Sequence, residues 1–447
     1  MPKDYFYLRT ALTLTGLCLG WVGASSRTIG AELTGATAPV VTASATDSRS
    51  EPPTSWTDPD TGHRVIRLTR EPGSDSFYFN YNCFTPDGKK MAYTTTNGIS
   101  VLNLETLQAT PMVTGPAKTI IVGYKSSNLY YTKRTEDRFL RTLWCVNLDT
   151  GANRKIADLP RRASVVAINA NETLGAGTFI EGDANTAGAY DGTLPYGQMT
   201  EVNLGEPIDK GEMMTKRLAA RLPMTLFTID LKTGKTKTLL KHDTNWLNHL
   251  QFSPTDPNLL MYCHEGHWQL VDRIWTIRTD GSHKQLIHQR MMEMEISGHE
   301  WWGADGDTIF YQLHFPRGGR VNYIASYNVK TKERVWLEYG PVQSSIHDNS
   351  SPDGKLFCGD GDNRNPWIIL LRPVIVSDRD DRKTLGKNLV KGGYLESEKL
   401  VNMSKHNYRL EPNPIFTPDM KYIVFRSNMF GPDYAFAVEV AKSDPSR

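Results

Sequence analysis

Three of the eleven histidines in this 447-residue chain keep step with a sequence repeat. His249 stands three residues before Phe252, His299 three before Trp302, and His347 three before Ser350. Each of those later residues opens a copy of one short pattern. Imidazole offers two chemistries near neutral pH: it ligates a divalent metal, and it accepts a proton as a general base. A lone strand histidine is most often a packed one, but three at one position of successive units point to a shared site. The same position holds Tyr81 before Phe84 and Asn413 before Phe416. Around His347, Gln343 lies four residues earlier and Asn349 two later, on the same face of an extended strand.

Other candidates border this set. His264 and His267, in Tyr262-Cys-His-Glu-Gly-His-Trp268, follow the second strand of the His249 unit, where they line the rim of the site or close a turn. His406, in His406-Asn-Tyr-Arg-Leu-Glu-Pro-Asn413, enters from the loop before the last unit. Arg217 and Arg221 end a long polar stretch ahead of the apolar run Leu226–Ile229, as substrate-binding cations or as a solvated charge face.

The elements that must position these side chains are short strands. Phe84-Thr-Pro-Asp-Gly-Lys-Lys-Met-Ala-Tyr93, Ser350-Ser-Pro-Asp-Gly-Lys-Leu-Phe357 and Phe416-Thr-Pro-Asp-Met-Lys-Tyr-Ile-Val-Phe425 are the clear copies of a strand–turn–strand unit. Degraded copies open at Phe252 and Trp302, and weaker ones lie near 122–131 and 165–178, which makes seven. Most continue into a third strand that ends in its own turn, as in Cys145-Val-Asn-Leu-Asp-Thr-Gly. Turn residues between alternating apolar runs are hairpin signals, so each unit is a small antiparallel sheet. The expected fold is all-β, a seven-bladed β-propeller. Thr57-Asp-Pro-Asp-Thr-Gly-His-Arg-Val-Ile-Arg-Leu68 supplies a strand without a blade, which would complete the last one and close the ring. Equivalent positions on innermost strands then converge at one mouth of the central channel.

Residues 1–31 have the order basic, apolar, small that marks a secretory signal, so the mature chain is expected in the periplasm or outside the cell. Residues 32–54, rich in Ala, Thr, Ser and Pro, read as a flexible tether, and 55–447 as the propeller with an insert at about 181–221. Fifty-one Lys and Arg against forty-nine Asp and Glu argue against a nucleic-acid partner. A mean hydropathy of −0.44 excludes a polytopic membrane protein, and the apolar run of the signal is too short to span a bilayer comfortably. Cys83, Cys145, Cys263 and Cys358 form no Cys-x-x-Cys pair and read as buried free thiols.

From Thr57 to Val440 the sequence resembles the oligogalacturonate lyases, a polysaccharide lyase family of seven-bladed propellers. The resemblance rests on Phe79-Asn-Tyr-Asn-Cys-Phe, Asn248-His-Leu, Cys263-His-Glu-Gly, Leu270-Val-Asp-Arg-Ile-Trp275, His299-Glu-Trp-Trp and the final His-Asn-Tyr-Arg-Leu-Glu-Pro-Asn. It implies β-elimination on a short acidic oligosaccharide, with a bound divalent metal, commonly manganese. It implies His249 as the base and Arg221 as the arginine on the substrate carboxylate, with Arg217 as its substitute; His264 and His406 join them as substrate-contact candidates from their place around the mouth. The metal would be held by His299, His347, Gln343 and Asn349. In that ligand set Asn349 stands where a histidine is expected, and Gln343 is one position off the expected spacing. Either the Asn349 amide oxygen ligates, or the site is altered, or the metal is weak or absent. The competing expectation is a non-catalytic TolB-like propeller that binds protein or sugar. A prolyl-peptidase propeller is disfavoured, because no Gly-x-Ser-x-Gly elbow is present.

Overall fold

The turn chemistry of the repeat is realised in the same way in its three clear copies. The hydroxyl of Thr85, Ser351 or Thr417 donates to the aspartate two residues on, at 2.6, 2.6 and 2.7 Å. The same aspartate oxygen accepts the backbone N–H of Lys89, Lys355 or Lys421. Gly88 and Gly354 each take φ +70°, and Met420, which replaces the glycine in the third copy, is held at φ +60°. Local hydrogen bonds therefore make the turn, and the apolar alternation on either side makes the strands.

The computed structural model describes residues 51–137, 139–181, 219, 221–242, 246–340, 344–376 and 389–442. The segment read as an export signal, most of the one read as a tether, nearly all of the expected insert, Arg217 and Gln343 lie outside them. The chain divides at Glu51/Pro52, and every strand belongs to the second unit.

Strands β1 (Ser55–Thr57) and β2 (Arg64–Arg67) come first, followed by seven antiparallel meanders. The first is β3 (Lys90–Thr95), β4 (Gly98–Asn103) and β5 (Ala109–Thr114). Its innermost strand is reduced to a single bridge, Phe84 to Met91. Next come β6 (Lys118–Val122), β7 (Asn128–Arg134), β8 (Arg141–Asn147) and β9 (Asn153–Asp158). The third is β10 (Ser164–Ile168), β11 (Leu174–Ile180), β12 (Met224–Asp230) and β13 (Thr236–His242). The fourth is β14 (Trp246–Phe252), β15 (Leu259–Glu265), β16 (Ile274–Arg278) and β17 (Gln285–Leu286). The fifth is β18 (Ile296–Trp302), β19 (Thr308–His314), β20 (Asn322–Asn328) and β21 (Arg334–Glu338). The sixth is β22 (Asp348–Ser350), β23 (Phe357–Gly359), β24 (Trp367–Val376) and β25 (Lys391–Asn402), and the last is β26 (Ile415–Phe416), β27 (Tyr422–Ser427) and β28 (Tyr434–Glu439).

Two pairings join elements that are distant in sequence. Strand β2 pairs antiparallel with β28, Val65 opposite Val438 and Arg67 opposite Phe436, so the N-terminal segment completes the last sheet. Side chains of the same N-terminal segment also reach β25 of the neighbouring sheet: Thr61 Oγ1 donates to Leu400 O at 2.7 Å, and Asp58 Oδ2 accepts the N–H of Asn402 at 2.8 Å. The second pairing has no counterpart in the repeat. Strand β25 is 12 residues long, and its first residues lie parallel to β21, merging the fifth and sixth meanders into one eight-stranded sheet.

Hydrophobic clusters fill the space between neighbouring sheets. Val65 packs with Ile368, Leu370, Phe416, Phe425 and Phe436. All four described cysteines are buried and free, as their apolar surroundings suggested. Because Val65 is fully buried where the two ends of the chain meet, Val65→Ala is expected to cost about 2 kcal/mol. The neighbouring exposed pair Arg64–Glu439 contributes little, so Arg64→Ala should stay within about 0.5 kcal/mol of the parent in urea titrations.

Candidate active site

The histidines of the fourth and fifth meanders stand on bulges. The β14–β15 register slips between Asn248 and Gln251, and the β18–β19 register slips between Gly298 and Trp301. His249 and His299 fall inside these slips with φ +50° and +48°, and Asn413, at the same repeat position, has φ +51°. A non-glycine residue in the left-handed region costs about 1 kcal/mol, and an extra residue in one strand redirects its side chain out of the pleat. The two inner strands are tied to one another: Gln251 Nε2 donates to Glu300 O at 2.8 Å, and Trp302 Nε1 to Gln251 O at 3.1 Å.

His299 and His347 meet edge to face with ring centroids 4.7 Å apart. Gln312 spends both amide protons on Ser345 O (3.1 Å) and Asp348 Oδ2 (2.5 Å), so its Oε1, 2.7 Å from His299 Nδ1, accepts. His299 therefore carries its proton on Nδ1. His347 Nδ1 lies 2.9 Å from Asp360 Oδ2, and Asp360 Oδ1 takes the backbone N–H of Ile346 and His347. Both rings thus present an Nε2 lone pair. His347 Nε2 is buried without a hydrogen-bond partner and lies 3.9 Å from Glu411 Oε2. Burial, and next the His347 ring, holds the His299 imidazole neutral, its pKa well below the ordinary value. Locked Nδ1–H tautomers with inward Nε2 lone pairs are the arrangement of metal-ligating histidines. Among the described residues no three His, Cys, Asp or Glu side chains already stand at ligand spacing. Asn349 gives its amide N–H to Phe79 O at 2.6 Å, which leaves only its amide oxygen as a donor atom for a metal.

A segment absent from the candidates above packs against this pair. The Phe79 ring lies 5.1 Å from His347 and 6.4 Å from His299, and the Phe79 N–H donates to Asn413 Oδ1. Asn80 donates to Glu300 O and Asn82 to Val122 O. Residues 79–82 thereby link β6, β18, β22 and the residue two ahead of β26, in four of the meanders.

His249 borders a buried charge group. Its Nε2 is 3.5 Å from Glu265 Oε1, while Glu265 Oε2 accepts the Asn248 amide at 2.6 Å. Glu300 Oε2 pairs with Arg273 Nε at 3.1 Å, and Glu300 Oε1 accepts the Cys263 thiol at 2.7 Å. Arg273, Glu265 and Glu300 are 4%, 7% and 1% exposed, whereas the His249 side chain keeps 29%. Burial pushes both carboxyls up, but the opposing charges win. His249, Arg273 and Asn248 hold Glu265 well below the carboxylate range, and chiefly Arg273 holds Glu300 at about 2. Composition and spacing did not single out Glu265, Arg273 or Glu300, although each sits in one of the motifs quoted above, beside or near a histidine or tryptophan.

A model described as oligogalacturonate lyase matches residues 53–444. The chain belongs to the oligogalacturonate lyase family. It is 29% identical over 407 residues to the oligogalacturonate lyase of Dickeya dadantii, covering 87% of this chain and 96% of that one. It is 28% identical over the same length to the oligogalacturonide lyase of Pectobacterium atrosepticum. A solved oligogalacturonate lyase from Vibrio parahaemolyticus superposes with a TM-score of 0.68 at 25% identity, covering 87% of this chain and 96% of that one. Another, in complex with manganese, superposes at 0.66 with 23% identity and the same coverage. The protein is therefore an enzyme, a lyase, which sets aside the non-catalytic propeller.

Four further residues singled out from sequence have these places in this lyase. His264 is buried among His242, Tyr262 and Trp275, stacked on the last at 5.0 Å, and burial with His242 pushes its pKa down to about 3. His406 has both ring nitrogens engaged within the protein, Nδ1 with Ser427 Oγ and Nε2 with Leu410 O. Both are packed side chains, in contrast to the substrate contacts expected of them. His267 closes its own turn onto Gln269 at 2.6 Å. Arg221 is exposed in the turn before β12 at φ +45°, and among the described residues it has no hydrogen bond or ion pair with the histidines.

Removing the cation of the buried group leaves the Glu300 carboxylate without its counter-charge, so Arg273→Met is expected to cost about 3 kcal/mol or more at neutral pH. Glu300, held at about 2 against an ordinary 4.5, stabilises the fold above pH 4.5, and that contribution is lost as pH falls toward 2. The variant lacks this contribution, so its deficit should narrow as pH falls through that window. Chemical denaturation at neutral and acidic pH measures both.

Proposed function

We propose that this lyase cleaves oligogalacturonate, or a closely related short uronate chain, by β-elimination at a metal-assisted site. The observation that carries the reading is the pair His299 and His347, each with Nδ1 pinned by Gln312 or Asp360 and Nε2 directed inward. The buried, unpartnered Nε2 of His347 is an atom that a divalent ion satisfies. His299 and His347 would hold that ion, with the Asn349 amide oxygen and Gln343 as the further donors expected from sequence. Two imidazoles with hard oxygen donors suit manganese, the metal of the solved relative. When bound, the ion supplies positive charge for the uronate carboxylate at C5, making the C5 proton more acidic.

The remaining chemistry belongs to side chains. His249, partly exposed beside buried carboxylates, takes the C5 proton. The C5–H electron pair becomes the second bond of C4=C5, the C4–O4 bond breaks, and the departing oxygen keeps the electron pair of the broken bond and is protonated from solvent. The imidazolium formed at His249 stands against the Glu265 carboxylate. Arg221, with Arg217 as its substitute, receives the substrate carboxylate.

In the same reading the seven meanders are the blades of a seven-bladed propeller, and β2 closes its ring through β28. Support comes from the meander count, that pairing and the likeness to solved family members. The chain is exported through residues 1–31, so protein recovered outside the cytoplasm should begin near residue 31 on N-terminal sequencing.

Incubation with oligogalacturonate and manganese should raise the ultraviolet absorbance of the C4=C5 product. A chelator should abolish the rise, and added manganese should restore it. His249→Ala should lower turnover by about 10²- to 10⁴-fold while substrate binding persists. Absence of unsaturated product from every uronate oligomer tried, at several pH values, rules the reading out.

A further inference from the structure

The Arg273–Glu265–Glu300 group has a consequence for the base. We propose that Glu265 is a positioning residue that holds His249 as its Nε2–H tautomer and leaves Nδ1 as the atom that takes the proton. The second half rests on the reading of His249 as the lyase base, and the first half does not.

The geometry argues for the tautomer directly. Glu265 Oε1 lies 3.5 Å from His249 Nε2, at the outer limit of a hydrogen bond that tightens when substrate orders a site. Its other oxygen is engaged by the amide of Asn248, the residue immediately before His249, so the carboxylate cannot turn away. An ionised carboxylate only accepts, and the His249 nitrogen facing it is therefore the one that carries hydrogen. Nδ1 has no protein partner among the described residues, and the ring keeps the exposure that contact with a substrate requires.

The charges around the ring argue for a role in the reaction. Facing it are Glu265 from β15, Glu300 from β18 and Arg273 from the turn before β16, all buried. Asn248 is neutral, and burial with the neighbouring Glu300 keeps the Cys263 thiol protonated. One cation and two anions leave the group one negative charge in excess, away from water. That excess is cancelled only when His249 becomes an imidazolium, the state formed as the C5 proton is removed. Charge placed in advance of the reaction stabilises such a state without rearrangement.

Long-range nitrogen–proton spectra of the wild-type protein with labelled histidine test the tautomer without any substitution. At mildly alkaline pH His249 should appear as Nε2–H, and an Nδ1–H signal overturns the proposal. Glu265→Gln keeps the shape and removes the anion. The imidazolium is then less stable, so the His249 midpoint should fall by about one pH unit or more. The acid limb of kcat/KM should move in the same direction, and the kcat plateau should drop about 10- to 100-fold with KM little changed. A midpoint and acid limb that stay in place in a folded Glu265→Gln protein refute the positioning role. An Nε2–H tautomer with a shifted midpoint, in a protein that gives no unsaturated product, upholds the pairing and removes only the reading of His249 as a lyase base.

Discussion

One additional residue on an inner strand, held at positive φ, is the constraint on which the site depends. In a regular strand His249 and His299 would alternate with their neighbours and stay in the packing between sheets. The slips in β14 and β18 break that alternation while the strands on either side remain paired. The strain is repaid by the ties between inner strands, Gln251 to Glu300 and Trp302 to Gln251, which give the bulged segments few other ways to lie.

Strand β18 serves both halves of the site through consecutive residues. His299 meets His347, and each ring has its Nδ1 engaged so that Nε2 faces inward. Glu300, the next residue, enters the ionised group beside His249. In the proposed reading the two halves want opposite electrostatics: a metal pocket needs unprotonated imidazole, whereas a base needs help in becoming protonated. At His299 the first is met by desolvation, while the Gln312 contact at Nδ1 sets the tautomer. The second is met by an anion at Nε2. Segment 79–82 lies across the same centre and supplies backbone partners to Asn413 and Asn349, so the pocket floor and the ligand strands are built together.

Much of this was legible in sequence where the determining physics is local. A hydroxyl, a proline, an aspartate and a left-handed residue make the repeat turn wherever they occur, so the meanders could be counted before their strands were seen. The phase of the histidines followed from that count. The charge group was not legible, because Glu265, Arg273 and Glu300 are ordinary charged letters whose burial depends on neighbours from other strands. His264 and His406 illustrate the converse: their spacing resembled a rim, and the structure packs them against Trp275, Ser427 and a backbone carbonyl. The β21–β25 joint was invisible because it depends on how far a long strand overruns its own sheet, which no repeat pattern encodes.

The β2–β28 pairing sets an order on assembly. Val65 and its neighbours are among the earliest residues of this unit to be synthesised, and Phe436 and Val438 are among the last. Until β28 has been made, the last sheet has no partner for β2, whose backbone groups stay open to misplaced strands. Contacts that span almost the whole chain carry the largest loop-closure cost and form late. The meanders can condense in turn as they emerge. The final sheet, with Asn413 just ahead of its first strand, waits for both β2 and β28.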